Sequence, residues 1–228
     1  MRLTLVLAAT AIATAGHAAT VTQNFPASGF DKVVASGSED ITITTGRAAS
    51  VTATGDADRV ARLRIGVDGT TLKIDHKSSS NWGVRNGDPV RIVITMPALF
   101  GVHGSGAGNI TADRGTGPAF AASTSGSGDM AIGRIDSVNV ALRTSGSGDI
   151  TAAGQCTSAK VSTSGSGDIA MVGLACRDLA VSISGSGDVA ARASGNADVR
   201  ISGSGDVNIV GGARCTSRTS GSGDVTCS

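Results

Sequence analysis

Residues 145–150 read Ser-Gly-Ser-Gly-Asp-Ile, and the same six letters return at residues 164–169. Related elements recur through the second half of the chain at intervals of 18 to 20 residues. Their last residues are Asn109, Asp129, Asp149, Asp168, Asp188, Asp206 and Asp224. Self-similarity at a fixed period of this length is typical of repeat architectures, in which each unit buries its apolar face against its neighbours.

Apolar and polar residues alternate on both sides of each element, which is the pattern of β-strands with one buried face. Around Asp149, for example, Ile150 and Ala152 share one face, and Val140 and Leu142 share the corresponding face upstream. The pattern predicts that each unit is a strand, a Gly-Ser-Gly-Asp corner, a second strand and a less regular return. The glycine before each Asp is predicted to be a structural turn residue with unusual backbone dihedrals: Gly128, Gly148, Gly167, Gly187, Gly205 and Gly223.

Two architectures fit this pattern, an antiparallel meander and a β-solenoid, and the cysteines distinguish them. Cys156 and Cys176 each lie 12 residues before an Asp of the repeat. Equivalent positions lie about 4.8 Å apart in stacked coils but about 9.5 Å apart in a meander. A disulfide needs Cα atoms roughly 4.4–6.8 Å apart, so the spacing favours an all-β solenoid with a Cys156–Cys176 bond. A Cys215–Cys227 bond would then close the last coil, although four cysteines allow three pairings.

Residues 19–100 lack the repeat but still read as strands, including a hairpin turning at Asp68-Gly69 and a strand that ends at Pro97. Residues 77–88 are predicted to form a loop. We expect this part to be irregular β-structure without a notable helix. It would cap the solenoid of residues 101–228 and form one continuous domain with it.

The first 18 residues have the composition of a signal peptide. Arg2 precedes an apolar run from Leu3 to Ala15, and Gly16-His17-Ala18 offers small residues at a cleavage site after Ala18. The sequence therefore predicts an exported protein of the periplasm or the cell surface, where disulfides form. No later segment is apolar enough to span a membrane, which needs about 20 such residues.

Composition narrows the range of functions. The chain has 19 Lys and Arg against 18 Asp and Glu, so no strong basic field is expected to recruit nucleic acid. It has only three His, and aromatic residues make up 2%. Because so few histidines are present for acid–base or metal chemistry, we predict no catalytic residues, no metal site and no cofactor. A homo-oligomer is compatible with the sequence.

Two features are candidates for ligand contact. The aspartates of the repeat, from Asp129 to Asp224, are candidate Ca²⁺ ligands, because Ca²⁺ binds carboxylate oxygens. The structural alternative is that each carboxylate accepts hydrogen bonds from backbone N–H groups of its own corner. Trp82 lies in the predicted loop, where it could contact a ligand or cover nearby apolar surface.

Several segments together resemble the putative auto-transporter adhesin, head GIN domain family of exported bacterial proteins. They are Phe30-Asp-Lys-Val-Val, Glu39-Asp-Ile-Thr-Ile, Asp68-Gly-Thr-Thr-Leu, Val93-Ile-Thr-Met-Pro-Ala-Leu and the serial Ser-Gly-Ser-Gly-Asp elements. The resemblance covers about residues 30 to 227. It implies a solenoid-like all-β fold, an envelope or surface setting and no catalytic residues.

These observations predict a non-enzymatic module of the cell envelope, structural or adhesive, that binds a surface glycan or an envelope protein through its repetitive faces. Two alternatives remain at this stage. One is a polysaccharide-active enzyme built on a β-helix, and the other is a Ca²⁺-dependent envelope scaffold.

Overall fold

The computed structural model describes residues 19–77 and 89–228. The predicted signal peptide, residues 1–18, lies outside the described residues. So do Trp82 and the rest of the predicted loop beyond Lys77.

Strands make up most of the described chain. Its strands are β1 (Thr20–Phe25), β2 (Lys32–Gly37), β3 (Asp40–Thr45), β4 (Ser50–Asp56), β5 (Leu63–Asp68), β6 (Thr71–His76), β7 (Arg91–Met96), β8 (Gly101–Gly106), β9 (Ile110–Thr124), β10 (Met130–Thr144), β11 (Ile150–Gly165), β12 (Ile169–Gly185), β13 (Val189–Ala193), β14 (Asn196–Gly203), β15 (Val207–Val210), β16 (Arg214–Gly221) and β17 (Val225–Cys227). One short helix, α1 (Ala57–Arg62), joins β4 to β5.

The predicted β-solenoid is confirmed. Successive repeat units pair in parallel and in register, so that Ile150 lies beside Met130 on one side and Ile169 on the other. The strand segments that follow each corner form one ladder, which we call the post-corner ladder. The segments that precede each corner form a second one, the pre-corner ladder. The long strands β9 to β12 bend between the two and contribute to both.

The N-terminal strands belong to the same stack. In the pre-corner ladder, β2 lies between β6 and β8; in the post-corner ladder, β3 lies between β7 and β9. Antiparallel strands extend the N-terminal end, with β5 pairing β6 as the predicted hairpin and β4 pairing both β1 and β7.

Helix α1 was not expected from the sequence. Asp56 caps it by accepting a hydrogen bond from the backbone N–H of Arg59 at 3.0 Å, and Val60 is buried beneath it. At six residues the helix is too short to show a helical hydrophobic period, which explains why the pattern did not reveal it.

The core is thin and aliphatic, as the scarcity of aromatics requires. Inward positions carry Val, Ile, Leu, Met and Ala in successive coils. The one large ring in the middle of the stack, Phe120, fits because Gly115 lies next to it; a Cβ on Gly115 would be 2.3 Å from the ring.

A row of buried threonines precedes the corners and provides a matched test. The Thr144 hydroxyl donates to the carbonyl of Gly148 at 2.7 Å, whereas the buried Thr163 hydroxyl has no partner. We expect Thr144→Val to lower the free energy of unfolding by about 1 kcal/mol, because it removes a buried hydrogen bond. Thr163→Val should leave it unchanged or raise it. Urea unfolding of both variants measures the difference, and equal losses would contradict this assignment.

The C-terminal coil is closed differently from the rest. Its inward positions are Cys215, Ser217 and Thr219, in register with Ala197, Val199 and Ile201 of the coil before. A Cys215–Cys227 disulfide spans this coil. The carbonyl of Ser228 accepts hydrogen bonds from the N–H groups of Gly211 and Gly212, at 2.8 and 3.0 Å. Covalent and backbone links therefore hold an end whose interior is polar.

Candidate functional site

The aspartates of the repeat form a continuous column of hydrogen bonds along the solenoid. The backbone N–H of Asp168 donates to Oδ1 of Asp149 at 2.8 Å, and that of Asp188 donates to Oδ1 of Asp168 at 2.7 Å. The column starts at Asp40, which accepts from the N–H of Asn109 at 3.1 Å. Each carboxylate from Asp129 to Asp206 thus binds the next coil, not its own corner as the sequence suggested, because stacking brings that N–H within reach.

This arrangement bears on the calcium candidates Asp129, Asp149, Asp168, Asp188, Asp206 and Asp224. One oxygen of each of the first five already accepts a backbone hydrogen bond. In the ranges 19–77 and 89–228, no three His, Cys, Asp or Glu side chains are grouped so that they could hold a metal ion. Each of these five hydrogen bonds joins two successive coils.

Asn109 shows which part of the aspartate matters. Its amide oxygen accepts a hydrogen bond from the N–H of Asp129 at 2.9 Å, in the same way as the carboxylates of the following coils do. We therefore expect Asp168→Asn to keep the stability of the parent protein, since it retains the acceptor and relieves carboxylate repulsion. Asp168→Ala should cost about 1–2 kcal/mol, because the N–H of Asp188 loses its acceptor. Thermal melts with and without EDTA check both points: a melt that Ca²⁺ raises and EDTA lowers would instead support a calcium column.

The corner glycines permit close approach between coils. A Cβ on Gly148, Gly167 or Gly187 would lie 2.2–2.3 Å from the carbonyl oxygen of the glycine one coil earlier. None of the six predicted turn glycines has a left-handed φ, so the expectation of unusual dihedrals at these positions is wrong. In the last four units such angles occur instead at the preceding glycine of the motif, which is Gly165, Gly185, Gly203 or Gly221, with φ between 135° and 149°.

The two histidines beyond residue 18, His76 and His103, both have partners. The Nε2 atom of His76 lies 2.9 Å from Oε1 of the buried Glu39, at the N-terminal start of the corner column. The Nδ1 atom of His103 lies 2.8 Å from the Ser123 hydroxyl. These contacts assign both side chains to local structure.

A groove of about 1150 Å³ crosses the coils on the outer side of the pre-corner ladder. Two columns of outward side chains line it. The first contains Ala119, Asn139, Ser158, Asp178, Asn196 and Arg214; the second contains Lys32, Ala121, Ala141, Lys160, Ala180, Asp198 and Thr216. Because the columns run across successive coils, the groove extends along the solenoid axis.

The C-terminal half of the groove is internally satisfied. Oδ1 of Asp178 accepts two hydrogen bonds from Asn196, from its backbone N–H and its side-chain amide, both at 3.1 Å. Asp198 pairs with Arg200 at 2.8 Å. Farther toward the N-terminus, the Ser158 hydroxyl donates to Oδ1 of Asn139 at 2.9 Å. The carboxylates in this half are therefore engaged by neighbouring side chains.

Sequence reasoning missed the groove. It expected binding through the repetitive faces and named the Asp corners and Trp82 as candidate contacts. The corner aspartates do not line the groove, and Trp82 lies outside the described residues. The signal was present in the register: the residues seven and nine positions before each aspartate from Asp129 to Asp206 are apolar and buried, and the outward residues eight and ten positions before them form the two columns.

The cysteines close two loops of the stack. Cys156 bonds to Cys176 in the next coil, with Cα atoms 4.6 Å apart, on the side between the two ladders. No free cysteine occurs in the described parts of the chain. No helix among residues 19–77 and 89–228 is long and apolar enough to cross a membrane.

Comparison with known proteins gives the family. The sequence profile of the putative auto-transporter adhesin, head GIN domain matches residues 29–213. The chain belongs to this family. No curated protein matched the sequence.

Solved structures share the fold of this head GIN domain. A putative adhesin from Bacteroides fragilis NCTC 9343 is 21% identical, with 92% of this chain and 97% of that one covered and a TM-score of 0.84. A putative adhesin from Parabacteroides merdae ATCC 43184 is 19% identical over 92% and 96%, with a TM-score of 0.73. A putative lipid binding protein from Parabacteroides distasonis ATCC 8503 is 23% identical over 94% and 98%, with a TM-score of 0.70. At these identities the likeness shows the fold alone.

Proposed function

We propose that this head GIN domain is a non-enzymatic, adhesin-like module of the cell envelope that binds a glycan along its groove. The observation that carries the proposal is a long groove lined by regularly spaced polar side chains. A ligand that lies along the axis would meet a new pair of side chains every ~4.8 Å, the spacing of stacked strands. A linear polymer with hydroxyl groups along its length suits such a surface.

A protein partner is the second class of ligand, and the groove supports it less well. Protein–protein hot spots are enriched in Trp, Tyr and Arg, whereas the described lining of the groove has Phe100, Phe120 and a single arginine, Arg214. Phe120 is buried in the core, so only Phe100 offers part of a ring to a partner. Hydrogen bonds and small apolar contacts would carry recognition here.

A glycoside hydrolase, one form of the enzymatic alternative, typically uses two carboxylates that act on a glycosidic bond. Asp178 and Asp198 line the groove, but each is held by a neighbouring side chain. We therefore propose binding without turnover.

A groove-blocking variant tests the proposal. Ala141→Trp places a large side chain on the groove, and Ala190→Trp does the same on the post-corner ladder, at a half-buried outward alanine away from the groove. Binding to purified polysaccharides, measured by calorimetry, should be lost only in Ala141→Trp. Chromatography of the same mixtures should show no cleavage products. Cleavage products would support an enzymatic function. Unchanged binding by Ala141→Trp would show that the polysaccharide does not bind in the groove.

We also propose that the protein is exported, that its signal peptide is removed by a cut after Ala18, and that residues 19–228 fold as one domain. The two disulfides support an oxidising compartment. The insertion of β2 between β6 and β8 supports the single domain, because it interleaves the two halves of the chain. Mass spectrometry of the protein from periplasmic and culture fractions should find Ala19 at the N-terminus.

A further inference from the structure

The second column of the groove places two lysines at a fixed separation. Lys32 pairs in register with Gly101, which pairs with Ala121, then Ala141 and then Lys160. Four steps between stacked strands correspond to about 19 Å. The three residues between the lysines have no side chain or only a methyl group, so this stretch of the groove has an open, smooth floor.

Both lysines are free to bind an anion. Each is exposed, and among residues 19–77 and 89–228 neither has an ion-pair or hydrogen-bond partner for its ammonium group. The groove's two acidic residues, Asp178 and Asp198, both lie beyond Lys160 toward the C-terminus and are engaged by Asn196 and Arg200. The stretch from Lys32 to Lys160 is therefore a cationic part of the groove in a chain whose net charge is only +1.

The remaining lining of this stretch is suited to a sugar chain. Phe100 and Pro118 offer apolar surface at one end. Farther along, Asn139 and Ser158 hydrogen-bond each other, and the Ser158 oxygen and the second N–H of the Asn139 amide remain for a ligand. A single small anion would contact one lysine, whereas an extended polymer with several acid groups would contact both. Paired cation–anion contacts add affinity and fix the position of the ligand.

We propose that the N-terminal half of the groove binds an extended anionic glycan, with acid groups of one chain at Lys32 and at Lys160. This rests on the proposed function and names its ligand class. Binding should weaken as salt is added, because both contacts are exposed and screened.

The test uses oligogalacturonates as carboxylate probes and dextran as the neutral probe. Lys32→Gln and Lys160→Gln should each weaken oligogalacturonate binding about tenfold, as expected for loss of roughly 1.4 kcal/mol, and the double variant should show a shallower salt dependence. Arg143→Gln is the matched control: it removes the same charge from β10, at an exposed position outside the groove's lining, and should bind as the parent does. A galacturonate dimer is too short to reach both lysines. Its affinity should therefore change little when one of them, Lys32 or Lys160, is replaced and the other remains.

The outcomes separate the two proposals. If dextran and oligogalacturonate bind equally and the lysine variants bind as the parent does, the anionic ligand is wrong while glycan binding stands. If oligogalacturonate binding falls equally in Arg143→Gln, the effect is one of overall charge, and the lysine site is wrong. If neither polysaccharide binds, both proposals fail. Circular dichroism melts of the variants, which alter only exposed side chains, show whether each is folded.

Discussion

Gly167→Ala is expected to destabilise the solenoid by about 3 kcal/mol or more, or to prevent folding. The new methyl group would lie 2.3 Å from the carbonyl oxygen of Gly148 and 2.8 Å from the Thr144 hydroxyl. The coil cannot move away easily, because the N–H of Gly167 donates to the carbonyl of Gly146 at 3.1 Å and the next coil stacks on its other side. Overpacking in a rigid interior typically costs 1–3 kcal/mol, and a backbone clash lies at or above the upper end.

Gly66→Ala is the matched control for this prediction. Gly66 lies in β5 with an ordinary φ, and a Cβ there would meet nothing within 4 Å. The change should leave stability within about 1 kcal/mol of the parent, on the stabilising side if the unfolded chain loses freedom. Denaturant midpoints of the two variants give the comparison. Equal stability would show that the corner glycines do not hold the coils at the observed distance.

Removing the Cys156–Cys176 disulfide has the second-largest expected effect. Replacing both cysteines with alanine should lower the free energy of unfolding by about 3 kcal/mol, the chain-entropy value for a loop of 20 residues. Alanine fits this site, since Ala193 occupies the position of Cys176 in the following coil. The loss should appear in the global unfolding transition, because the bond joins coils in the middle of the stack.

The terminal disulfide serves as the comparison. Cys215→Ala with Cys227→Ala opens a bond confined to the last coil, whose side chains are mostly exposed. We expect faster amide exchange over residues 211–228 and little change in the exchange of β10 and β11. A global loss as large as that from the internal disulfide would contradict the local role of the C-terminal bond.

The fold could be predicted because the repeat itself indicates a stack of similar coils. The period of 18 to 20 residues and the alternation around Asp149 and Asp168 define the coil, and the shared phase of Cys156 and Cys176 selects parallel stacking over a meander. The hairpin at Asp68-Gly69 was likewise readable from turn residues between alternating strands. The coil and the hairpin could be predicted because each follows from a local pattern of apolar and turn residues.

The remaining features could not be predicted from the sequence, and most of them depend on contacts between neighbouring coils. The acceptor role of Asp149 was expected within its own corner, but the donor that reaches it is the N–H of Asp168, 19 residues away. The need for glycine at position 167 comes from a carbonyl in the preceding coil and not from its own dihedrals. The groove is lined by outward side chains that only the stacking of coils brings together, and helix α1 depends on a cap that spans a single turn.

Stacking in register is the claim on which the columns, the groove and the lysine pair all depend. The most direct measurement is oxidative cross-linking at outward positions of the post-corner ladder, where Thr151 pairs with Ala170, and Ala170 with Ala190. Non-reducing peptide mapping of Thr151→Cys with Ala170→Cys should find a bond between positions 151 and 170, since neighbouring strands lie about 4.8 Å apart. Thr151→Cys with Ala190→Cys should give none. No bond in the first variant, or a bond only in the second, would contradict in-register stacking.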